Sequence, residues 1–129
     1  MKNNLHSRRI VVATSEEPLG RVIEESLSLL GIGVDIVGSH GELLRLCRHH
    51  RYPLIITRFV APLLSSPAQI MFLRAEGTTK IFVLSHTRNR KIALALLRSG
   101  VSQFLSLPVS IHRLRSKVAS NIPEEGAEW

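Results

Sequence analysis

Several features that would identify a particular class of protein are scarce in this sequence. It has one cysteine, Cys47, which excludes an intrachain disulfide and fits a reducing compartment. No apolar run approaches the ~20 residues that a membrane-spanning helix needs, and residues 1–9 lack the apolar core of a signal peptide. These absences predict a cytoplasmic domain with no membrane contact.

Motifs for catalysis and cofactor binding are missing as well. The sequence has no Gly-x-Ser-x-Gly elbow of the kind that presents a nucleophilic serine. The segment Gly31-Ile32-Gly33 lacks the third glycine of a dinucleotide-binding loop. None of the histidines forms an i, i+4 pair, the helical spacing that lets two imidazoles share one metal ion. We therefore expect no enzymatic activity, no cofactor and no metal site.

Acidic residues are few relative to basic ones. The chain has 17 Lys and Arg against 10 Asp and Glu, a formal net charge of +7 at pH 7. Such an excess favours an acidic partner, which is a nucleic acid, an acidic protein or a membrane surface. The basic residues fall in many different predicted elements, which favours an ordinary solvated surface. Direct nucleic-acid binding stays as the alternative function, although the few aromatic residues offer little surface for stacking bases.

The sequence does contain a fivefold alternation of short apolar strands and amphipathic helices. Strands are predicted at 10–14, 34–37, 54–57, 80–84 and 103–106, and a helix follows each of them. This alternation predicts an α/β fold with a five-stranded, doubly wound parallel sheet and helices on both faces. We expect one domain over 1–122 and a tail, or the start of a linker, over 123–129. The helical residues predicted to face the core are Leu19, Val22, Ile23, Leu27, Leu30, Leu43, Leu44, Cys47, Ile70, Met71, Leu73, Ile92, Leu96, Leu97, Ile111, Leu114 and Val118.

The segments that follow these strands resemble those of bacterial response-regulator receiver domains, over about residues 8–121. Arg58 stands after an apolar strand and before Pro62, at the position of the phosphorylated aspartate of that family. Ser85 stands where the family has a hydroxyl residue that senses the phosphoryl group. The run from Gly100 to Phe104 is similar to Gly-Ala-x-x-Tyr/Phe, and Leu107 precedes a proline as the family lysine does. The resemblance implies a CheY-like (flavodoxin-like) fold.

The same resemblance implies that the phosphorylation site is degenerate. An arginine stays protonated and has no nucleophilic oxygen, and Leu107 has no charge with which to contact a phosphoryl group. The acidic pair that would hold Mg²⁺ is replaced by Thr14-Ser15 or Ser15-Glu16, depending on a one-residue choice of alignment, whereas Mg²⁺ prefers carboxylate oxygens. The residues of this degenerate phosphoacceptor pocket are Ser15, Glu16, Arg58, Ser85 and Leu107.

The sequence leaves three interpretations of this pocket open. Arg58 pairs with Glu16 or Glu17 and fixes the surrounding loops in one conformation, as in a constitutive binding module. Alternatively, Arg58 extends into solvent and the pocket has simply decayed. A third interpretation keeps phosphorylation on Thr57 or Ser85, although no neighbouring residue resembles a base that would activate a hydroxyl.

The resemblance finally implies an interaction surface, formed in the family by the fourth helix, the fifth strand and the last helix. We predict an atypical, phosphorylation-independent receiver-like domain that binds a protein partner or itself there, in bacterial signalling or transcription regulation. A longer parent protein would add a DNA-binding output domain. The candidate switch and interface residues are Lys91, Leu94, Arg98, Phe104 and Arg113.

Overall fold

A computed structural model describes residues 8–61, 63, 64, 66, 69, 70 and 79–122. Strands and helices alternate along these ranges as the sequence predicts, except that 69 and 70 are the helical residues described between the third and fourth strands. Their bounds are β1 Arg9–Ala13, α1 Glu17–Ser28, β2 Gly33–Val37, α2 His40–His49, β3 Leu54–Arg58, β4 Lys80–Ser85, α3 Arg90–Arg98, β5 Gln103–Ser106 and α4 Ile111–Asn121. The predicted fourth helix is therefore α3 and the predicted last helix is α4.

The five strands form one parallel sheet in the order β2-β1-β3-β4-β5. Strand β1 pairs with both β2 and β3, so the chain reverses its direction of winding beside β1. In sheets of this kind, binding sites lie beyond the carboxyl ends of the strands, at the point of reversal. The predicted fold class is confirmed. A binding site is expected at the carboxyl ends of β1, β3 and β4.

The core has two layers, one on each face of the sheet. Ile23 and Leu27 of α1 and Leu114 and Val118 of α4 pack on one face, in the first core cluster. Helices α2 and α3 cover the other face, with Leu43 and Leu96 in the second core cluster. Because β1, β3 and β4 are buried on both faces, they appear in the sequence as uninterrupted apolar runs. Each large apolar side chain buried in this way stabilises the fold by roughly 1.5–3 kcal/mol.

The helix ends follow ordinary capping chemistry. Ser39 accepts a hydrogen bond from Glu42 N at 3.2 Å, and Ser110 accepts one from Arg113 N at 2.9 Å. Gly100 has φ of 114° just after α3, a conformation that glycine adopts without steric cost. None of the helices in the described ranges has the length and apolar character of a transmembrane segment.

Two helical residues predicted to face the core are instead on the surface. Val22 is 45% exposed, because α1 buries the neighbouring stripe through Ile23 and Leu27. Leu97 is 44% exposed, because Leu96 takes the inward position on α3. Adjacent apolar residues on a helix point about 100° apart, and a sequence does not show which one the sheet will cover. Of the predicted third helix, Ile70 is helical and buried, whereas Met71 and Leu73 lie outside the described residues.

Candidate functional site

The centre of the candidate site is Arg58, the last residue of β3. It lies in register with Leu84 of β4 and is only 7% exposed. The sequence predicted that β3 ends at Thr57, but the strand continues to Arg58, because the backbone there still pairs with β4 and Phe59 N donates a hydrogen bond to the Leu84 carbonyl at 3.1 Å. Arg58 Nη1 donates a hydrogen bond to Glu16 Oε1. Of the two predicted partners, Glu16 makes the ion pair, while Glu17 pairs with Arg21 along α1 at 3.2 Å.

A short turn at the end of β1 positions Glu16. The buried Thr14 hydroxyl accepts a hydrogen bond from Glu16 N at 3.0 Å. Glu16 is the N-cap residue of α1, and its carbonyl accepts the bond from Gly20 N at 3.1 Å. Its carboxylate makes no capping bond to α1 and is directed to Arg58. A carboxylate at a helix N-terminus is also favoured by the helix dipole. The Glu16 carboxylate therefore interacts favourably with both the positive end of α1 and the guanidinium of Arg58.

The two partners of this ion pair differ strongly in exposure. The side chain of Arg58 is 8% exposed and that of Glu16 is 53% exposed. Within the described part of the chain, Arg58 Nε is buried and has no hydrogen-bond partner. The guanidinium thus brings a permanent positive charge to the carboxyl end of the sheet, where the half-exposed carboxylate of Glu16 compensates it.

The other predicted pocket residues have different surroundings. Ser85 is buried, and its hydroxyl accepts a hydrogen bond from Thr87 N at 3.0 Å, which closes the turn after β4. Thr57 is fully buried and donates its hydroxyl proton to the Arg58 carbonyl at 3.1 Å. Ser15 is exposed. Leu107 packs, half-buried, against the first core cluster, which gives this position an apolar packing role.

The predicted interface residues lie on α3, β5 and α4. The exposed side chains of α3 are Arg90, Lys91, Leu94, Leu97 and Arg98, and their spacing places them on one stripe of the helix. Phe104 of β5 is half-buried and packs against the second core cluster. We use the name α3–β5–α4 surface for the residues Arg88, Arg90, Lys91, Leu94, Leu97, Arg98, Phe104 and Arg113.

The distribution of acidic residues is a signal that the sequence interpretation missed. All ten acidic residues lie at positions 16–76 or 124–128, so the described range 79–122 contains none of them. The same range contains eight Lys and Arg residues, and within the described part of the chain none of these forms an ion pair. Counting basic residues alone suggested a uniform surface, whereas counting acids by segment would have identified this region.

A second polar cluster lies at the opposite edge of the sheet. Asp35 of β2 accepts hydrogen bonds from Arg9 Nη2 and, at 2.7 Å, from the Tyr52 hydroxyl. Burial opposes ionisation of Asp35, but the bonds from Arg9 and Tyr52 outweigh it, and the pKa of Asp35 is lowered. These residues line a cavity of about 430 Å³ together with His50 and Arg51. The Asp35 carboxylate already has both partners within the protein, so the cluster is a structural feature.

Cys47 and the histidines do not form a metal site within the described residues. That part of the chain contains no group of three His, Cys, Asp or Glu side chains placed to hold an ion. Cys47 is half-buried against the second core cluster, and burial raises the pKa of its thiol to about 11. This packing agrees with its predicted role as a small core residue.

Comparisons with known proteins identify the fold. No protein-family model matches the chain, and no curated protein resembles it significantly in sequence. Many solved structures match, and several of them are response regulators. An orphan response regulator of H. pylori is 17% identical, with a TM-score of 0.81 over 90% of this chain and 97% of the other. The receiver domain of the Francisella response regulator 1452 is 23% identical, with a TM-score of 0.79 over 88% and 94%.

A third similar structure is an atypical orphan response regulator described as having a phosphorylation-independent regulatory mechanism. It is 16% identical, with a TM-score of 0.77, and the match covers 88% of this chain and 93% of the other. At these identities the likeness concerns the fold. The chain therefore has the fold of a response-regulator receiver domain, with an arginine–glutamate ion pair at the edge where its strands end.

Proposed function

We propose that this chain is a receiver-like domain that works without phosphorylation and acts by binding a protein partner. The observation that carries the proposal is the ion pair between the buried Arg58 and the half-exposed Glu16. It occupies the point of the sheet where the resemblance places the phosphorylated aspartate and its Mg²⁺. The side-chain cation of Arg58 takes the place of the Mg²⁺ ion that the resemblance would otherwise put here.

The chemistry of the pocket residues supports loss of phosphorylation. A guanidinium cannot accept a phosphoryl group, and its charge repels Mg²⁺. The carboxylate of Glu16 is already engaged by Arg58. The two hydroxyls that would be substitute acceptors, those of Thr57 and Ser85, are buried and take part in internal hydrogen bonds. Neither hydroxyl is bonded to a base in the described residues.

The hydrogen bonds around the ion pair support a single fixed conformation. Arg58 joins the end of β3 to the start of α1, and Ser85 holds the turn between β4 and α3. Phe104, the position of the rotating aromatic in the resemblance, is held against the second core cluster. The similarity to an atypical regulator with a phosphorylation-independent mechanism points in the same direction.

The partner is proposed to bind at the α3–β5–α4 surface, in bacterial signalling or transcription regulation. This surface offers exposed cations and two exposed leucines, a combination suited to a protein contact. We propose a cytoplasmic location and a binding role instead of catalysis. A DNA-binding output domain in a longer parent protein would be the element that the partner controls.

The test is incubation of the chain with a small-molecule phosphodonor and Mg²⁺, followed by intact-mass measurement. We expect no added phosphoryl group on the wild-type chain, and amide NMR spectra that do not change with Mg²⁺ or beryllofluoride. The Arg58→Asp variant is the matched control, because it restores a carboxylate beside Glu16 and should respond to Mg²⁺. A phosphoryl adduct on the wild-type chain would overturn the proposal.

A further inference from the structure

Three cations of the α3–β5–α4 surface do not serve the stability of their own helices, whereas Arg98, in the last turn of α3, complements the negative end of that helix. Arg90 and Lys91 lie in the first turn of α3, and Arg113 lies in the first turn of α4. Neither first turn contains an acidic residue, and the N-terminus of a helix is its positive end. Cations placed there are unfavourable for the isolated domain. Since no acid within 79–122 offsets them, their arrangement favours an acidic partner at this surface.

Exposed apolar side chains lie among these cations. Leu94 is 50% exposed and Leu97 is 44% exposed. Both belong to the same stripe of α3 as Arg90, Lys91 and Arg98, which places the leucines between charged neighbours. A surface with an apolar centre and a charged margin is the usual composition of a protein interface.

We propose that the α3–β5–α4 surface docks an acidic amphipathic segment of a different protein. This inference rests on the proposed function and names the chemistry of its partner. Acidic side chains of the segment pair with Arg90, Lys91 and Arg98, and its apolar side chains cover Leu94 and Leu97. Charge complementarity of this kind steers association and excludes wrong partners.

The same charge pattern disfavours a second copy of the chain as the occupant. In a symmetric dimer the same patch contacts itself, so the cations of α3 would face a patch that carries the same cations. The acids that would relieve this repulsion are absent from 79–122. Nucleic acid would satisfy the cations but leave Leu94 and Leu97 uncovered. Phe104 packs half-buried against the core and offers little surface for base stacking.

The experiment uses the full chain and a labelled synthetic peptide, followed by fluorescence anisotropy. The peptide has ~20 residues, enough to form a helix, with leucines on one face and glutamates on the other. A peptide with glutamine for every glutamate and a short random DNA duplex serve as competing probes. Amide shifts on peptide addition show whether the contact lies on α3, β5 and α4.

We expect saturable binding of the acidic peptide and weaker binding of the glutamine peptide. Arg98→Glu should weaken the acidic complex by about tenfold and Leu94→Ser by about fivefold, where tenfold corresponds to 1.4 kcal/mol. The matched controls are Arg45→Glu on α2 and Leu29→Ser at the end of α1, both at exposed positions. Each control should change affinity less than about twofold.

Three results would overturn the inference. Affinity that is unchanged by Leu94→Ser would mean only a general attraction for polyanions. Tighter binding of the duplex, lost in Arg98→Glu, would assign the surface to nucleic acid. A dimer that dissociates in Leu94→Ser would assign it to a second copy. All three measurements are made without a phosphodonor. If one of them overturns this inference, the intact-mass result still tests the proposed function separately.

Discussion

The carboxylate of Glu16 accepts a hydrogen bond from the buried guanidinium of Arg58 while its own backbone begins helix α1. One residue therefore connects the end of β3 to the first turn of a helix on the α1–α4 face of the sheet. Because Glu16 is half-exposed and Arg58 is not, the two members of the pair differ in what their removal leaves behind. A buried cation without a partner is costly, whereas a half-exposed carboxylate without a partner is hydrated.

The first prediction concerns removal of the carboxylate. Glu16→Gln should lower the free energy of unfolding by about 2 kcal/mol, between the values for exposed and fully buried ion pairs. Urea denaturation at pH 7 measures this change. Glu17→Gln is the control one residue away, and its exposed pair with Arg21 predicts a loss below about 0.5 kcal/mol. Equal losses in the two variants would mean that the pair of Glu16 with Arg58 stabilises the fold no more than the exposed pair of Glu17 with Arg21.

The second prediction concerns removal of the cation. Arg58→Met should cost about 1 kcal/mol or less, because an apolar side chain of similar length replaces a guanidinium whose Nε has no partner in the described residues. The variant Glu16→Gln should thus be less stable than Arg58→Met, and the double variant should resemble Arg58→Met. A double-mutant cycle from urea denaturation gives the coupling between the two residues. If Glu16→Gln were more stable than Arg58→Met, loss of the carboxylate would not be the more costly of the two changes, and the prediction would be wrong.

The third prediction concerns pH and the Asp35–Tyr52 hydrogen bond. The lowered pKa of Asp35 means that its contribution to stability is present above its ordinary value of 3.8 and is lost as pH falls through the folded-state value. Burial, followed by the bond to Asp35, raises the pKa of Tyr52, so its contribution is present below 10.0 and is lost at higher pH. Tyr52→Phe should lower stability at pH 7 by about 1 kcal/mol and reduce the loss above pH 10.

Urea denaturation at a series of pH values, on the wild-type chain and Tyr52→Phe, measures both effects. The pKa of Asp35 should rise in the variant, because one of the two bonds that stabilise its charge is gone. Carboxyl NMR titration reports this directly. An unchanged pKa of Asp35 would show that the bond from Tyr52 does not contribute to it.

The fourth prediction concerns Gly33, over which the side chain of Arg9 passes on its way to Asp35. A Cβ atom at position 33 would clash with Arg9 Nη1, so the guanidinium must move away. The end of an arginine side chain moves easily, and Gly33→Ala should cost only about 1 kcal/mol. It should also raise the pKa of Asp35 in the same NMR titration. Gly41→Ala is the control, since an added Cβ there meets no atom within 4 Å.

The fifth prediction concerns the reactivity of Cys47. Its raised pKa of about 11 leaves little thiolate at pH 8, and the side chain is half-buried. Alkylation by iodoacetamide at that pH should be at least about tenfold slower than that of free cysteine, and should accelerate in urea. Intact mass against time follows the reaction. Alkylation in the folded chain at the rate of free cysteine would mean that the thiol is accessible.

The sequence predicted the fold well because β1, β3 and β4 are short apolar runs that the sheet buries on both faces. A pairing of Arg58 with a glutamate near the end of β1 was one of the three interpretations that the sequence left open. The sequence did not distinguish Glu16 from Glu17, since the turn made by Thr14 decides which carboxylate faces β3. Nor could it place Val22 or Leu97, because neighbouring apolar residues compete for one inward position. The cluster of Arg9, Asp35 and Tyr52 joins three distant segments and has no local pattern.

The guanidinium in the pocket has a consequence for how information could pass through such a domain. A phosphoryl group arrives after a stimulus and later hydrolyses, so it records when an event occurred. The charge of Arg58 belongs to the side chain from the time the chain is synthesised, and no hydrolysis removes it. Under the proposed function, every molecule leaves synthesis in the same state. Output then follows the number of copies and the supply of partner, and the domain measures quantity where a phosphorylated relative would measure time.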